Sequence, residues 1–214
     1  MRVQARDIHA QSLATSSALS EYYVPNLITP LEVIRILNAA KVRFMLLGAH
    51  GLGGWMGKPR ATEDVDVLVG TRGHKKAVAA LQAAFPHLQA EDYEVVTRFR
   101  DPETRGVVID VMKPNQPLYR DALKYGHLVE SGGQNYQIPS LELALATKFA
   151  AMISLTRADR DKFQDVRDFM YIVDGNPDID LAKLHALGQL VYNNGGDEVV
   201  EMVRKVRAGE KLIL

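Results

Sequence analysis

Asp64 and Asp66 flank a single valine in the run Asp64-Val65-Asp66-Val67-Leu68-Val69. On a strand, side chains alternate between faces, so the two carboxylates share one face, about 7 Å apart along the chain, while Val65, Val67 and Val69 take the other. Adjacent carboxylates repel each other, and a cation between them removes that cost. Magnesium suits oxygen ligands and keeps waters and phosphate oxygens in its shell. Further on, Val107-Val108-Ile109-Asp110-Val111-Met112 sets one acid inside an apolar strand, where a lone carboxylate is costly to bury. Pairing this strand beside Val65–Val69 brings Asp110 to the other two acids. Three carboxylates can hold two magnesium ions roughly 4 Å apart, one activating a hydroxyl and one gripping a triphosphate. The chemistry is then phosphoryl transfer, driven by positioning and charge neutralisation. Clustered negative charge also predicts that Asp110→Asn stabilises the metal-free chain. An Asp-Val-Asp triplet alone is short and more often structural than catalytic. Its neighbours give it meaning.

Upstream, Phe44-Met45-Leu46-Leu47 reads as a buried strand that ends at Gly48. Five glycines fall between Gly48 and Gly57, and such a turn lets backbone approach a ligand closely. Within it, Ala49 has a backbone amide to offer a phosphate, and His50 either touches nucleotide or caps the turn. Trp55 either stacks on a base or packs. Arg60-Ala61-Thr62 stands just before the acids. Arg60 suits a phosphate grip. Thr62 hydrogen-bonds substrate or orients the acids, or is there for its strand propensity.

The elements that must position these residues follow from pattern. Thr29-Pro30-Leu31-Glu32 is a capping box with proline at the first helical position, opening a helix with Val33, Ile36, Leu37 and Ala40 on one face. A helix is expected over residues 75–84 and strands over 93–99 and 107–112. After Pro114 and Pro117 the character turns helical. Ser140 caps a helix running to about Leu155, and another covers Asp159 to Val173, with Phe163, Val166, Met170 and Val173 on one face. Two shorter helices follow the break at Gly175-Asn176-Pro177. Strands crowd the first half and helices the second, an α+β order. We therefore expect an N-terminal arm or helix over 1–28, a catalytic domain over 29–138 and a helical segment over 139–214.

Lys148 falls within the stripe Leu141, Ala144, Leu145, Met152 and Leu155, where a charge needs a reason. Either its stem snorkels to solvent or its ammonium reaches the phosphates. Lys162, Asp165 and Asp168 have the spacing of a helix salt-bridge face.

Residues 44–69, FMLLGAHGLGGWMGKPRATEDVDVLV, resemble the signature of the DNA polymerase beta-type nucleotidyltransferase superfamily, in which a strand, a small-residue turn and a helix precede an acid-hydrophobic-acid pair. Arg-Ala-Thr-x-Asp-x-Asp and the later IPSLELALATKFAAM resemble the bacterial branch that includes abortive-infection toxin nucleotidyltransferases. The resemblance spans residues 44–173 and is most specific over 46–69. It implies an α+β fold with a nucleotidyltransferase-like mixed sheet flanked by helices, followed by a C-terminal helical segment. It also implies Asp64 and Asp66 as metal ligands, Asp110 as third acid, and Gly48 with Ala49 and His50 as triphosphate cradle. Lys148 would contact the triphosphate, and Lys162, Asp165 and Asp168 resemble a charged motif of the toxin relatives. The family turn usually has Gly followed by Gly or Ser. Ala49 departs from that and brings no hydroxyl.

With 26 basic and 26 acidic residues, the chain has no net positive field to gather nucleic acid from a distance. It has no cysteine, which excludes disulfides and thiolate metal sites and fits the cytoplasm. No run of 18 apolar residues exists, so no membrane helix is expected. The function expected is magnesium-dependent transfer of a nucleoside monophosphate from a nucleoside triphosphate to a hydroxyl on protein, RNA or a small molecule. An antitoxin-like protein partner goes with the toxin resemblance. The competing readings are a catalytically weak nucleotide-binding or regulatory module of the same fold, and a phosphohydrolase using the same acids with water.

Overall fold

The computed structural model describes residues 28–57, 62 and 64–212. Residues 1–27 of the arm expected over 1–28 and the candidate phosphate ligand Arg60 lie outside the described residues. By internal contacts the chain forms two compact units, residues Met1–Gly54 with Lys58–Pro139, and Trp55–Gly57 with Ser140–Leu214.

The first unit is built on a seven-stranded mixed sheet. Its strands are β1 (Phe44–Leu46), β2 (Val65–Val69), β3 (Gln89–Asp92), β4 (Val96–Arg100), β5 (Val107–Met112), β6 (Gly126–Ser131) and β7 (Gln134–Pro139). Their order across the sheet is β3-β4-β5-β2-β1-β7-β6. The parallel contacts are β2 with β5 and β1 with β7, and the remaining neighbours are antiparallel. Helices α1 (Pro30–Ala39) and α3 (His74–Ala84) share one core with the sheet. Val33, Ile34 and Leu37 from α1 and Ala77 and Leu81 from α3 meet Val65, Val67, Val69, Phe99, Ile109 and Val111 there. The start of α1 is the expected capping box, with the Glu32 amide donating to Thr29 Oγ1 at 3.3 Å and the Thr29 amide donating to Glu32 Oε2 at 2.7 Å.

The segment after β1 differs from expectation. Gly48–Met56 forms a helix, α2, rather than a turn. Glycine is a poor helix former, so contact must decide. A methyl group built on Gly51 would stand 2.2 Å from the Leu46 carbonyl oxygen. The glycines let the helix lie directly on the strand end before it. The single strand expected over 93–99 is a β3–β4 hairpin broken at Tyr93–Val95, and the β6–β7 hairpin replaces part of an expected helical region. Between β5 and β6 lies a short helix, α4 (Pro117–Ala122).

The second unit contains α5 (Leu141–Met152), α6 (Asp159–Gly175), α7 (Leu181–Gly188) and α8 (Gly195–Ala208). Ser140 caps α5, its Oγ accepting from the Leu143 amide at 3.3 Å. The helix ends before Leu155, which is 98% exposed and not part of a stripe. Helix α6 is rotated from the expected face. Phe163 and Met170 are exposed, while Asp165, Asp168, Phe169, Ile172 and Val173 are buried. These five positions repeat at helical spacing, so the face was disguised by carrying two acids. Among the described residues, no helix is long and apolar enough to cross a membrane.

Candidate functional site

The three strands at the heart of the first unit bring charge into a row. In the parallel β2–β5 pair Asp66 stands opposite Asp110, and in the antiparallel β4–β5 pair Asp110 stands opposite Arg98. Partners in register on adjacent strands project to the same face, so Asp66, Asp110 and Arg98 lie side by side on the sheet face opposite the α1 and α3 core. Val65 and Val67, on either side of Asp66, are buried in that core.

Asp64 precedes β2 and is half-buried, with Thr62 Oγ1 donating to its Oδ1. Of the roles open to Thr62, orienting an acid is the one this contact performs. The Asp66 carboxylate lies against the first residue of α2, since a methyl group built on Gly48 would stand 1.9 Å from Asp66 Oδ2. Gly48 also has φ +55°, in the region that disfavours side chains. The Leu47 amide donates to the Asp66 carbonyl at 2.8 Å, fixing the start of α2 to β2. Ala49 and His50 are buried in the first turn of α2. The first amides of a helix have no intrahelical acceptor and carry its positive dipole end, which favours anions such as phosphate.

Asp110 is buried and gripped at both oxygens by Arg98, Nε donating to Oδ1 at 2.9 Å and Nη2 donating to Oδ2 at 2.7 Å. The Asp110 contact holds the Arg98 guanidinium even more firmly protonated than usual. Desolvation opposes this and the Asp66 charge adds to it. Arg98 was not singled out in the sequence. Its signal was the hairpin around Asp101–Gly106, which sets residue 98 opposite residue 110. As a test of fit to magnesium, Asp64 just before β2 and Asp66 within it offer two carboxylates. Among the described residues, however, no three His, Cys, Asp or Glu side chains gather as a metal-binding group. Both oxygens of the third acid are engaged by the Arg98 guanidinium.

Lys148 belongs to the second unit and does not snorkel. Its side chain is 8% exposed, and Nζ donates to Asp165 Oδ1 at 2.9 Å and Asp168 Oδ2 at 2.6 Å. Gln164 Nε2 donates to Asp168 Oδ1 at 2.8 Å. Arg157 Nε lies 2.6 Å from Asp165 Oδ2, an ion pair without hydrogen-bond alignment. Asp165 and Asp168 are thus interior partners of Lys148 and not a solvated salt-bridge face. Trp55, at the end of α2, has its carbonyl bound by Asn176 Nδ2 at 2.7 Å.

Residues 35–210 match the family described as nucleotidyl transferase AbiEii toxin, Type IV TA system. The chain belongs to the AbiEii nucleotidyl transferase toxin family. AbiEii proteins are nucleotidyltransferases, and this chain is one. Among solved structures, an antigenic nucleotidyltransferase-like protein from Paracoccidioides brasiliensis superposes with a TM-score of 0.50 at 19% identity, covering 94% of each chain. That likeness agrees with the mixed-sheet fold. A lincomycin-bound lincosamide antibiotic adenylyltransferase, LnuA, has a TM-score of 0.47 at 15% identity, covering 69% of this chain and 99% of that one. No curated protein matches the AbiEii chain in sequence.

Proposed function

We propose that the chain moves a nucleoside monophosphate from a nucleoside triphosphate to an acceptor hydroxyl on a protein, an RNA or a small molecule. The observation that carries this reading is the contact of the Asp66 carboxylate with Gly48 at the first turn of α2. A cation site and an anion site then adjoin. Asp64 and Asp66 are the residues that would hold magnesium, which when bound neutralises phosphate charge and polarises the reacting oxygens. The first-turn amides of Gly48, Ala49 and His50 receive phosphate oxygens, and Thr62 keeps Asp64 in one orientation. The acceptor hydroxyl gives up its proton to solvent as its oxygen attacks the α-phosphorus, the bond to the bridging oxygen breaks, and pyrophosphate leaves. Arg60 remains a proposed phosphate contact. Lys148 needs no phosphate to balance it, because Asp165 and Asp168 already do so.

A toxin–antitoxin setting accords with the family, and a cytoplasmic location and an antitoxin-like protein partner belong to the same proposal. Ala49, which departs from the Gly or Ser of the family turn and offers no hydroxyl, favours a second reading as a nucleotide-binding module with weak turnover. Incubation with each labelled nucleoside triphosphate, magnesium and cell extract separates the two. Transfer predicts pyrophosphate release and label on one acceptor, both lost in Asp64→Asn/Asp66→Asn. Binding without pyrophosphate release supports the module, and monophosphate or phosphate release by the parent alone identifies a hydrolase.

A further inference from the structure

Asp110 lies beside Asp66 in register, yet both of its oxygens are engaged by a guanidinium. Removing Arg98 would leave Asp66 and Asp110 as like charges on neighbouring strands, about 5 Å apart, an arrangement that a cation must compensate. Arginine's fork fits phosphate as well as carboxylate, bidentately in both cases. The Arg98 side chain is 32% exposed and that of Asp110 only 11%. An anion arriving from solvent therefore meets the guanidinium before the acid behind it.

Resting on the nucleotidyl-transfer reading above, we propose that Arg98 is a latch on the third acid: it withholds Asp110 from cations until a triphosphate draws the guanidinium onto its own oxygens. Triphosphate and the second cation then bind cooperatively. The third carboxylate becomes available only when there is a substrate to act on. Coupling between two ligands is reciprocal, so the latch acts equally on triphosphate affinity.

The test uses the full chain and two probes. Manganese alone is titrated without nucleotide, with free manganese read by electron paramagnetic resonance, and inorganic triphosphate alone is titrated in chelator by calorimetry. The latch predicts that Arg98→Met binds manganese about tenfold more tightly than the parent, a usual size for coupled sites. Arg98→Met/Asp110→Asn should return to the parent's affinity. It predicts equally that Arg98→Met binds metal-free triphosphate about tenfold more weakly. Unchanged or weaker manganese binding by Arg98→Met overturns the proposal, as does unchanged triphosphate binding. If Arg98→Met fails to fold, Arg98→Lys replaces it, because an ammonium lacks the planar fork that clamps both carboxylate oxygens and manganese binding still tightens. The control Asp64→Asn/Asp66→Asn separates the two levels. If it binds manganese as the parent does, the cation site is misplaced and the latch falls with it. If it loses manganese while Arg98→Met gains none, only the latch is wrong.

Discussion

At the scale of the residue, the Asp110 environment reverses the sign of one expectation. A cluster of three bare acids predicts that removing one charge relieves repulsion. Here Asp110 instead supplies both acceptors for the Arg98 fork. Asp110→Asn leaves a guanidinium without its charged partner. Because Arg98 is about one-third exposed, water recovers part of the loss. We expect a loss of about 1 to 2 kcal/mol in the metal-free protein, measurable by urea unfolding in chelator. A gain in stability would show that repulsion among the acids outweighs the ion pair. The juxtaposition of Asp66 and Asp110 was legible in the sequence, since alternation fixes the face of each acid and the apolar runs around them demand pairing. Arg98 was hidden because one arginine in an alternating polar–apolar strand has no distinguishing pattern. Only the register of the β4–β5 hairpin gives it a partner.

At the scale of the element, strands with strong alternation and helices with caps were readable. Elements settled by contact were not. Helix α2 forms from a glycine-rich stretch because small residues permit close approach to β1, a reason that local propensity does not contain. The β6–β7 hairpin did leave a trace. Gly132 and Gly133 both have positive φ at its turn, and a Gly-Gly pair between alternating segments is a hairpin signal. Helix α3 shows a different dependence on its surroundings. His74 at its first position contacts Thr97 Oγ1 through Nε2 at 3.2 Å, while Thr97 Oγ1 donates to Asp92 Oδ1 at 2.5 Å and Lys113 Nζ lies 2.8 Å from the same oxygen. Burial lowers the His74 pKa first of all. A hydrogen bond to the Val111 backbone opposes it, Lys113 lowers the value further and Asp92 raises it. The folded state therefore prefers neutral imidazole. Its contribution is complete above the unfolded value of about 6.5 and declines as pH falls below that, where the unfolded chain takes up a proton more readily. We expect His74→Gln to flatten the acid side of the stability–pH curve just below pH 6.5. An unchanged slope in urea unfolding across that range would assign the acid dependence to other groups.

At the scale of the whole molecule, the change from a sheet-rich first part to an all-helical second part was legible from the order of elements. The charge inside the second unit was not. The lysine in the α5 stripe and the acids of α6 look, separately, like a snorkelling side chain and a solvated face. Together they form an interior cluster in which Lys148 and Arg157 face Asp165 and Asp168. The acids lie on the buried face of α6 with Phe169, Ile172 and Val173, so α5 and α6 pack only if these charges are matched. Replacing a buried pair by apolar groups is often tolerated, whereas deleting one partner strands the other. Lys148→Met keeps the stem's packing and removes the ammonium from which both Asp165 and Asp168 accept, while Asp165 keeps the half-exposed Arg157. We expect it to destabilise the protein by about 3 to 5 kcal/mol. Lys148→Met/Asp165→Asn/Asp168→Asn removes the unmatched charges and should recover a large part of that loss. Thermal and urea unfolding of the two variants, read by circular dichroism, measure both quantities. A Lys148→Met protein as stable as the parent, with weakened triphosphate binding, would return this lysine to the nucleotide.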